Sequence, residues 1–285
     1  MPTATITFGF DPILRLGPDL AVRWQTVALA VVIAAVLTWT TRSVRAARLR
    51  PDDLLSIVIG AVPGAVIVGR IAWIAAHPGI VPLDPWAWLD PSLGGVDLAA
   101  GVLGGIGGGA LIASLLGVPV ETWARLAAVP LLVAIGAGKL VMVLGGSGQG
   151  LPADLWWATA YDGPGPWGSL AAALPSHPSQ AYEGLATLVL ALATTRATGR
   201  SATPGTALLA GAVGSYAVVR AAVALTWRDP VVAGPLGATG WTAVLVAAAS
   251  LAVALAVIAL HERRRRGRTA QPVVDWPDPA TRPRF

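Results

Sequence analysis

The chain has 285 residues, of which 55% are hydrophobic and only 12% are charged, and its formal net charge is +5. A soluble domain carries about 25% charged residues, so this composition excludes an ordinary soluble protein and indicates an integral membrane protein. Cysteine is absent, which excludes disulfides and any chemistry of the protein's own thiols. The two Met and three His residues form no cluster at metal-binding spacing, so we expect no metal and no cofactor.

Seven stretches are apolar over the length of about 20 residues that a helix needs to cross a bilayer. They lie near residues 24–41, 54–76, 98–117, 126–144, 181–197, 204–226 and 239–260. We interpret all seven as helices, because lipid offers no other hydrogen-bond partner to the backbone of a single span. The predicted fold is an all-α polytopic membrane protein, with a seven-helix domain over residues 1–266. The polar, Pro-rich residues 267–285 are predicted to form a disordered cytoplasmic tail.

Basic residues are distributed unevenly between the predicted loops. Those after the first, third, fifth and seventh spans are Arg42, Arg45, Arg48, Arg50, Arg125, Arg196, Arg200, Arg263, Arg264, Arg265, Arg266 and Arg268. The alternate loops 77–97 and 145–180 contain neither Lys nor Arg. Because cytoplasmic loops carry the excess of Lys and Arg, the N-terminus is predicted outside and the C-terminus in the cytoplasm. Residues 145–176 would then form a small lobe outside the cell.

The third predicted helix is unusually rich in glycine. Its glycines are Gly101, Gly104, Gly105, Gly107, Gly108 and Gly109. Small residues allow membrane helices to approach one another closely, so we expect this helix to pack at the centre of the bundle.

One short stretch concentrates polar side chains in this apolar chain, the heptapeptide His177-Pro178-Ser179-Gln180-Ala181-Tyr182-Glu183. It ends a Gly/Pro/Trp-rich loop and opens an apolar helix. Pro at the first helical position is tolerated, and Gln180 can reach back to close the cap. The free N–H groups and the helix dipole would suit a phosphate at this point. The alternative is a helix start with incidental polar residues.

Four ionisable side chains lie inside the predicted spans: Arg70, Lys139, Glu183 and Arg220. Such groups are costly in a membrane and are therefore candidates for function. Tyr216 precedes Arg220 by four residues on the same helix face, and the two form a plausible phosphate clamp. Two alternatives stay open: Arg70 or Lys139 could extend to the membrane surface, and Arg220 could simply pair with Glu183.

The heptapeptide closely resembles the His-Pro-Ser-Gln-x-Tyr-Glu motif of the prolipoprotein diacylglyceryl transferases. Further resemblances to this family are Gly69-Arg70, Tyr216-x-x-x-Arg220 and Arg228-Asp229-Pro230. The resemblance implies a multi-pass enzyme of the bacterial cytoplasmic membrane that acts on membrane lipid. It would move diacylglycerol from phosphatidylglycerol onto the lipobox cysteine thiol of a prolipoprotein signal peptide. No nucleic-acid partner is expected.

The resemblance also implies roles for individual residues. The expected catalytic residues are His177, Glu183 and Arg220: His177 is the general base, Glu183 is the alternative base if burial makes it basic enough, and Arg220 stabilises the phosphate leaving group. The expected substrate-binding residues are Arg70, Lys139, Ser179, Gln180, Tyr182, Tyr216 and Arg228.

Several positions depart from the family pattern. Ala99 stands where the family has a histidine, Lys139 where it has an arginine, Met142 where it has an asparagine and Ser147 where it has a glutamate. Lys keeps the charge but loses the bidentate fork of Arg, and Met cannot hydrogen-bond a headgroup. Two alternatives to the standard transferase follow: a non-catalytic relative that binds anionic phospholipid or a lipoprotein partner, and a transferase with altered specificity.

Overall fold

The structure, a computed structural model, describes residues 5–17, 19–82, 84–199 and 203–269. Its helices are α1 (Trp24–Ala46), α2 (Pro51–Ala76), α3 (Pro85–Leu89), α4 (Leu98–Leu115), α5 (Val120–Val141), α6 (Ser179–Thr198), α7 (Gly205–Ala224) and α8 (Ala238–Thr269). A short 3-10 helix, Met142–Gly145, extends α5. The chain is therefore mostly helical, as predicted. Residues 270–285, most of the predicted tail, lie outside the described residues, and α8 includes the first three residues of that tail.

Six helices of the described residues are long and apolar enough to cross a membrane: α1, α2, α4, α5 with its extension, α7 and α8. They correspond to six of the seven predicted spans. The predicted fifth span corresponds to α6, a 20-residue helix that is not among the six. α5 begins at Val120, before the predicted limit of 126, since its first turns contain Glu121 and Arg125 and are therefore not apolar.

Short strands accompany the helices and were not predicted. They are β1 (Ile6–Phe8), β2 (Ile13–Arg15), β3 (Ala21–Arg23), β4 (Thr159–Tyr161), β5 (Val231–Ala233) and β6 (Leu236–Gly237). β2 pairs with β3 and β5 with β6, both antiparallel. β1 pairs in parallel with β4 and so attaches the segment before α1 to the loop 146–178.

The buried core lies among α4 to α8. α6 packs against α5 and α7, and α8 packs against α7. Leu132, Val213, Tyr216, Ala217 and Ala243 are almost inaccessible to solvent within this core. Lys139 and Arg220 lie near the C-terminal ends of α5 and α7, whereas Glu183 lies near the N-terminus of α6. These three side chains therefore share one end of the bundle.

α4 packs mainly against α2, and the glycines of α4 allow the two backbones to approach closely. The prediction that α4 lies at the centre of the bundle stays a prediction. A Cβ on Gly104 would lie 2.2 Å from the carbonyl oxygen of Gly64, and a Cβ on Gly64 would lie 2.4 Å from that of Gly104. A Cβ on Gly108 would lie 2.6 Å from the carbonyl oxygen of Gly60. Backbone cannot move aside as a flexible side chain can, so only glycine fits at these positions.

Replacement of Gly104 by leucine should therefore force α2 and α4 apart. We expect a loss of at least about 2 kcal/mol in the free energy of unfolding, the scale of overpacking in a close-packed interior. The measurement is thermal or denaturant unfolding in one detergent. Gly107→Leu is the matched control, because Gly107 is exposed on the same helix and a Cβ there meets nothing within 4 Å. Equal destabilisation by the two variants would contradict this account of the interface.

Candidate active site

A buried cluster of Lys139, Glu183 and Arg220 joins α5, α6 and α7. Lys139 Nζ lies 2.8 Å from Glu183 Oε2, and Arg220 Nη1 lies 2.8 Å from Glu183 Oε1. The lysine contact is an ion pair rather than an aligned hydrogen bond. Two cations around one carboxylate leave the cluster with a formal charge of +1. The side chain of Lys139 is only 13% exposed and its Nζ contacts Glu183, so it does not extend to the membrane surface.

Tyr216 completes the cluster from one turn earlier on α7. Its side chain is fully buried, and its hydroxyl donates to Glu183 Oε1 over 3.0 Å. The phenol and the guanidinium of Arg220 thus bind the same carboxylate oxygen. Tyr216 and Arg220 lie close together, as predicted. The ion pair of Arg220 with Glu183, which was the alternative to a phosphate clamp, is present as well. Glu183 holds both side chains in place.

The cluster borders a cavity of about 260 Å³. Other residues that line this cavity are Gln149, Gln180, Trp227, Arg228, Asp229 and Thr239. The guanidinium of Arg220 stacks on Trp227, with 4.5 Å between its central carbon and the ring centroid. Arg220 Nε and Gln180 Oε1 are buried and form no hydrogen bond with the described residues. Arg220 and Gln180 therefore each bring a polar atom without a hydrogen-bond partner to the wall of the cavity.

The heptapeptide 177–183 fastens the start of α6 to its surroundings. Pro178 is the N-cap residue and not the first helical residue, and no side chain closes the cap. The predicted capping role of Gln180 is therefore wrong, since its Nε2 donates to the hydroxyl of Tyr161 over 3.1 Å. Burial raises the pKa of Tyr161, in the loop 146–178, to about 12, so this phenol stays protonated. Ser179 Oγ lies 2.6 Å from Thr226 Oγ1 beyond the end of α7.

His177 belongs to a separate polar group. Its Nδ1 lies 3.3 Å from the hydroxyl of Tyr182, which also accepts a hydrogen bond from Trp157 Nε1 over 2.6 Å. Neither His177 nor Tyr182 is among the residues that line the 260 Å³ cavity. The structure thus brings together Glu183, Arg220, Lys139, Gln180, Tyr216 and Arg228 of the predicted site.

Arg70 lies apart from the cluster and binds a loop. Its Nε, Nη2 and Nη1 donate to the carbonyl oxygens of Trp88, Asp90 and Gly95 over 2.9, 2.8 and 3.1 Å. It is 8% exposed, so it does not extend to the surface either. This arrangement fixes the segment between α2 and α4 and leaves no cation facing the cavity from α2.

Arg228 has two functions in the structure. It lines the cavity, and it donates to Gly150 O over 2.5 Å and to Ser176 Oγ over 2.7 Å. The loop 146–178 is thereby tied to the end of α7. Gln149 reinforces the loop, since its Nε2 donates to the carbonyl oxygens of Thr159 and Leu174 over 2.7 and 3.1 Å.

Gln149, Trp227 and Asp229 were not predicted as site residues. The residues around Gln149 in the sequence form no pattern that indicates a site. Trp227 resembles the other loop tryptophans in the sequence, and only the structure shows that it stacks on Arg220. At the departures from the family pattern, Ala99 is fully buried in the core and has no group that can transfer a proton. Ser147 Oγ donates to Gln25 Oε1 over 3.1 Å.

These helices and this buried charged cluster define an integral membrane protein with a polar site inside its bundle. The family model described as prolipoprotein diacylglyceryl transferase matches residues 12–257. The chain therefore belongs to the prolipoprotein diacylglyceryl transferase family, and this membership favours an enzyme of the transferase class.

Curated relatives agree with the family. The phosphatidylglycerol–prolipoprotein diacylglyceryl transferase of Bordetella avium is 32% identical over 187 residues, which cover 64% of this chain and 68% of the relative. The protein of the same name from Methylocella silvestris is 28% identical over 194 residues, covering 62% and 65%. That of Geobacter sulfurreducens is 26% identical over 179 residues, covering 61% and 66%. The matched region thus spans about two thirds of each relative.

Proposed function

We propose that the protein transfers diacylglycerol from phosphatidylglycerol to the lipobox cysteine thiol in the signal peptide of a prolipoprotein. The observation that carries this proposal is the Lys139–Glu183–Arg220 cluster beside a polar cavity in an apolar bundle. The names of the relatives support the same reaction. The cavity is near the lower end of the usual range of ligand sites, about 300 Å³, which suits a headgroup more than a whole lipid.

The charges of the cluster suit a phosphodiester. A phosphodiester carries one negative charge, and the cluster carries a formal charge of +1 with Arg220 Nε still free to donate. During transfer the carbon–oxygen bond to the phosphate breaks, and negative charge increases on the leaving phosphate. Fixed cations and donors in a dry site stabilise such developing charge. Arg220 and Lys139 are therefore assigned to the leaving group, and Glu183 and Tyr216 position Arg220.

We further propose that α6 is the seventh span. Its 20 residues extend about 30 Å, which equals the thickness of the hydrocarbon core. Its polar side chains Gln180, Glu183 and Thr187 are buried in the bundle, whereas Leu185 and Val189 are exposed as lipid-facing residues would be. The inward polar face lowers the mean hydropathy of α6 without preventing it from crossing the membrane.

Seven spans and the positions of the arginines support a protein of the bacterial cytoplasmic membrane, with the loop 146–178 outside and the α1–α2 turn in the cytoplasm. The absence of native cysteine makes single-cysteine labelling a clean test. Leu170→Cys, in an exposed position of the loop, should react with a membrane-impermeant maleimide in spheroplasts. Ala47→Cys, in the turn, should react only after permeabilisation. The reverse pattern would overturn the proposed orientation.

A second candidate is a relative that binds anionic phospholipid without transfer. Ala99 favours it, because a fully buried methyl group replaces the histidine of the family pattern. His177 does not compensate, since it lies with Tyr182 outside the cavity.

Complementation separates the two candidates. A bacterial strain depleted of its own diacylglyceryl transferase would receive this protein or its Arg220→Ala variant, and lipid-modified lipoprotein would be scored on gels. The proposed function predicts rescue by the wild-type chain and none by Arg220→Ala. Failure of the wild-type chain, when it is expressed and inserted in the membrane, would contradict transfer and favour the binding relative.

A further inference from the structure

Asp97 is a fully buried carboxylate of which only one oxygen has a partner. It is the N-cap residue of α4: its Oδ1 accepts from Ala100 N over 2.8 Å, and its backbone N–H donates to Gly69 O over 2.9 Å. Its Oδ2 forms no hydrogen bond with the described residues, and the residue is 0% exposed. An ionised oxygen left unpaired in an apolar interior is costly, so this arrangement requires an explanation.

Asp97 lies in the wall of an apolar cavity and within electrostatic range of two cations of the charged cluster. The apolar cavity has a volume of about 530 Å³ and lies among α1, α2, α4 and α5, with Asp97 in its wall. Ile135 of α5 lines the same cavity, and Lys139 follows it by one turn on the same helix face. The negative charge of Asp97 also attracts both Lys139 and Arg220. A substrate with acyl chains in the apolar cavity would therefore contact this carboxylate, and its phosphate would be directed to the cations that Asp97 attracts.

The other candidate bases either have hydrogen-bond or ion-pair partners already or lie outside the two cavities. Both oxygens of Glu183 contact cations, and Oε1 also accepts from Tyr216. His177 lines neither of the two cavities. Asp229 lines the 260 Å³ cavity, but its Oδ2 accepts a hydrogen bond from Thr239. Asp97 Oδ2, by contrast, is buried, contacts no cation and has no hydrogen-bond partner among the described residues.

We propose that Asp97 is the proton acceptor of the reaction, an inference that rests on the proposed transferase function. Oδ2 takes the proton of the lipobox thiol, and the thiolate sulfur attacks the carbon of the diacylglycerol moiety that bears the phosphate. The sulfur–carbon bond forms as the bond between that carbon and the phosphate oxygen breaks. The electron pair of the broken bond goes to the leaving glycerol phosphate beside Lys139 and Arg220. The proton then passes from Asp97 to that phosphate, which balances the step without any further reactant.

Asp97→Asn tests this role in the full-length protein. Asn caps a helix as well as Asp does, so the variant should keep its fold and its unfolding temperature. Transfer of diacylglycerol from phosphatidylglycerol vesicles to a lipobox peptide should fall about 100-fold in kcat at pH 7, the scale of general-base catalysis, while KM for the phospholipid does not rise. Asp97→Ser, which also retains a capping oxygen, should show the same loss.

The pH profile provides a readout that a purely structural role would not change. A free thiol has a pKa of about 8.5. Transfer by Asp97→Asn should therefore rise about tenfold per pH unit up to that value, as thiolate forms without a base. Lys139 of α5 and Arg220 of α7 interact electrostatically with Asp97, Glu183 of α6 pairs with both, and Arg70 of α2 directly follows Gly69, whose carbonyl oxygen accepts from Asp97 N. All four are unchanged in the variant.

Asp84→Asn is the matched control, because Asp84 caps the short α3 from an exposed position outside both cavities. It should transfer at the wild-type rate. Wild-type kcat in Asp97→Asn, or a rise in KM without a fall in kcat, would overturn the role of Asp97. Loss of transfer in His177→Ala, with Asp97→Asn unaffected, would assign the proton to His177 instead. Absence of transfer by the wild-type chain would contradict the proposed function itself.

Discussion

Replacement of Arg220 by lysine should reduce diacylglyceryl transfer about 100-fold, although the positive charge is retained. Removal of one preorganised donor to a developing negative charge has an effect of this order. Lysine cannot reproduce the planar fork that contacts Glu183 at 2.8 Å, stacks on Trp227 at 4.5 Å and still presents a free Nε. We expect the loss in kcat, measured with purified protein, phosphatidylglycerol vesicles and a lipobox peptide.

The control for this variant is Arg196→Lys. Arg196 is exposed in the last turn of α6, at the end of that helix remote from Glu183. The same chemical change there should leave transfer at the wild-type rate. A full wild-type kcat in Arg220→Lys would contradict a role for the guanidinium at the leaving group, and would show that a positive charge alone is sufficient.

Replacement of Glu183 by glutamine should destabilise the protein more than any other single change at the cluster. The formal charge would rise from +1 to +2, and Lys139 and Arg220 would lose the carboxylate that each contacts at 2.8 Å. Removal of one partner from a buried ion pair costs about 3–5 kcal/mol, because a charge is left uncompensated in the interior. Denaturant unfolding in mixed micelles measures this loss.

Anionic lipid provides a second test of the same variant. Phosphatidylglycerol should restore part of the stability of Glu183→Gln, because its phosphate can neutralise the two cations, whereas a zwitterionic lipid should restore less. Glu262→Gln, at an exposed position of α8, is the control and should change stability by no more than about 0.5 kcal/mol. An unchanged free energy of unfolding in Glu183→Gln would contradict the structural role assigned to this carboxylate.

Much of the helical architecture could be predicted because apolar runs of sufficient length have few alternatives in lipid. α1, α2, α4, α5, α7 and α8 all appear where such runs occur. The boundaries were less accurate where charged residues begin a helix, as Glu121 and Arg125 do in α5. The strands of two or three residues were missed because so short a strand has no readable alternation, and the pairing of β1 with β4 joins segments about 150 residues apart.

The buried cluster could be predicted in part. The cost of charge in a membrane identified Lys139, Glu183 and Arg220, and the i, i+4 spacing placed Tyr216 beside Arg220. Its position inside a predicted span gave Arg70 the same status, yet this arginine binds three loop carbonyls. Its partners lie 18 to 25 residues further along the chain, in a loop with no regular pattern. Only the three-dimensional structure of that loop shows that Arg70 has a structural role, unlike Lys139 and Arg220 of the cluster.

The role proposed for Asp97 could not be predicted from the sequence. Asp97 directly precedes an apolar helix, which is the ordinary position of a capping residue, so the sequence gives no reason to assign it any other role. The unpaired Oδ2 becomes visible only when α2 and α5 are in place around it. His177 shows the reverse, since its motif is distinctive and yet its imidazole contacts Tyr182 and not the charged cluster.

The most direct test of the account is a transfer assay with the purified wild-type chain, radiolabelled phosphatidylglycerol and a lipobox peptide. If the Lys139–Glu183–Arg220 site carries out transfer, the peptide will acquire labelled diacylglycerol through a thioether, and glycerol phosphate will be released in equal amount. A folded protein that binds the phospholipid but forms neither product would contradict the account and identify a lipid-binding relative.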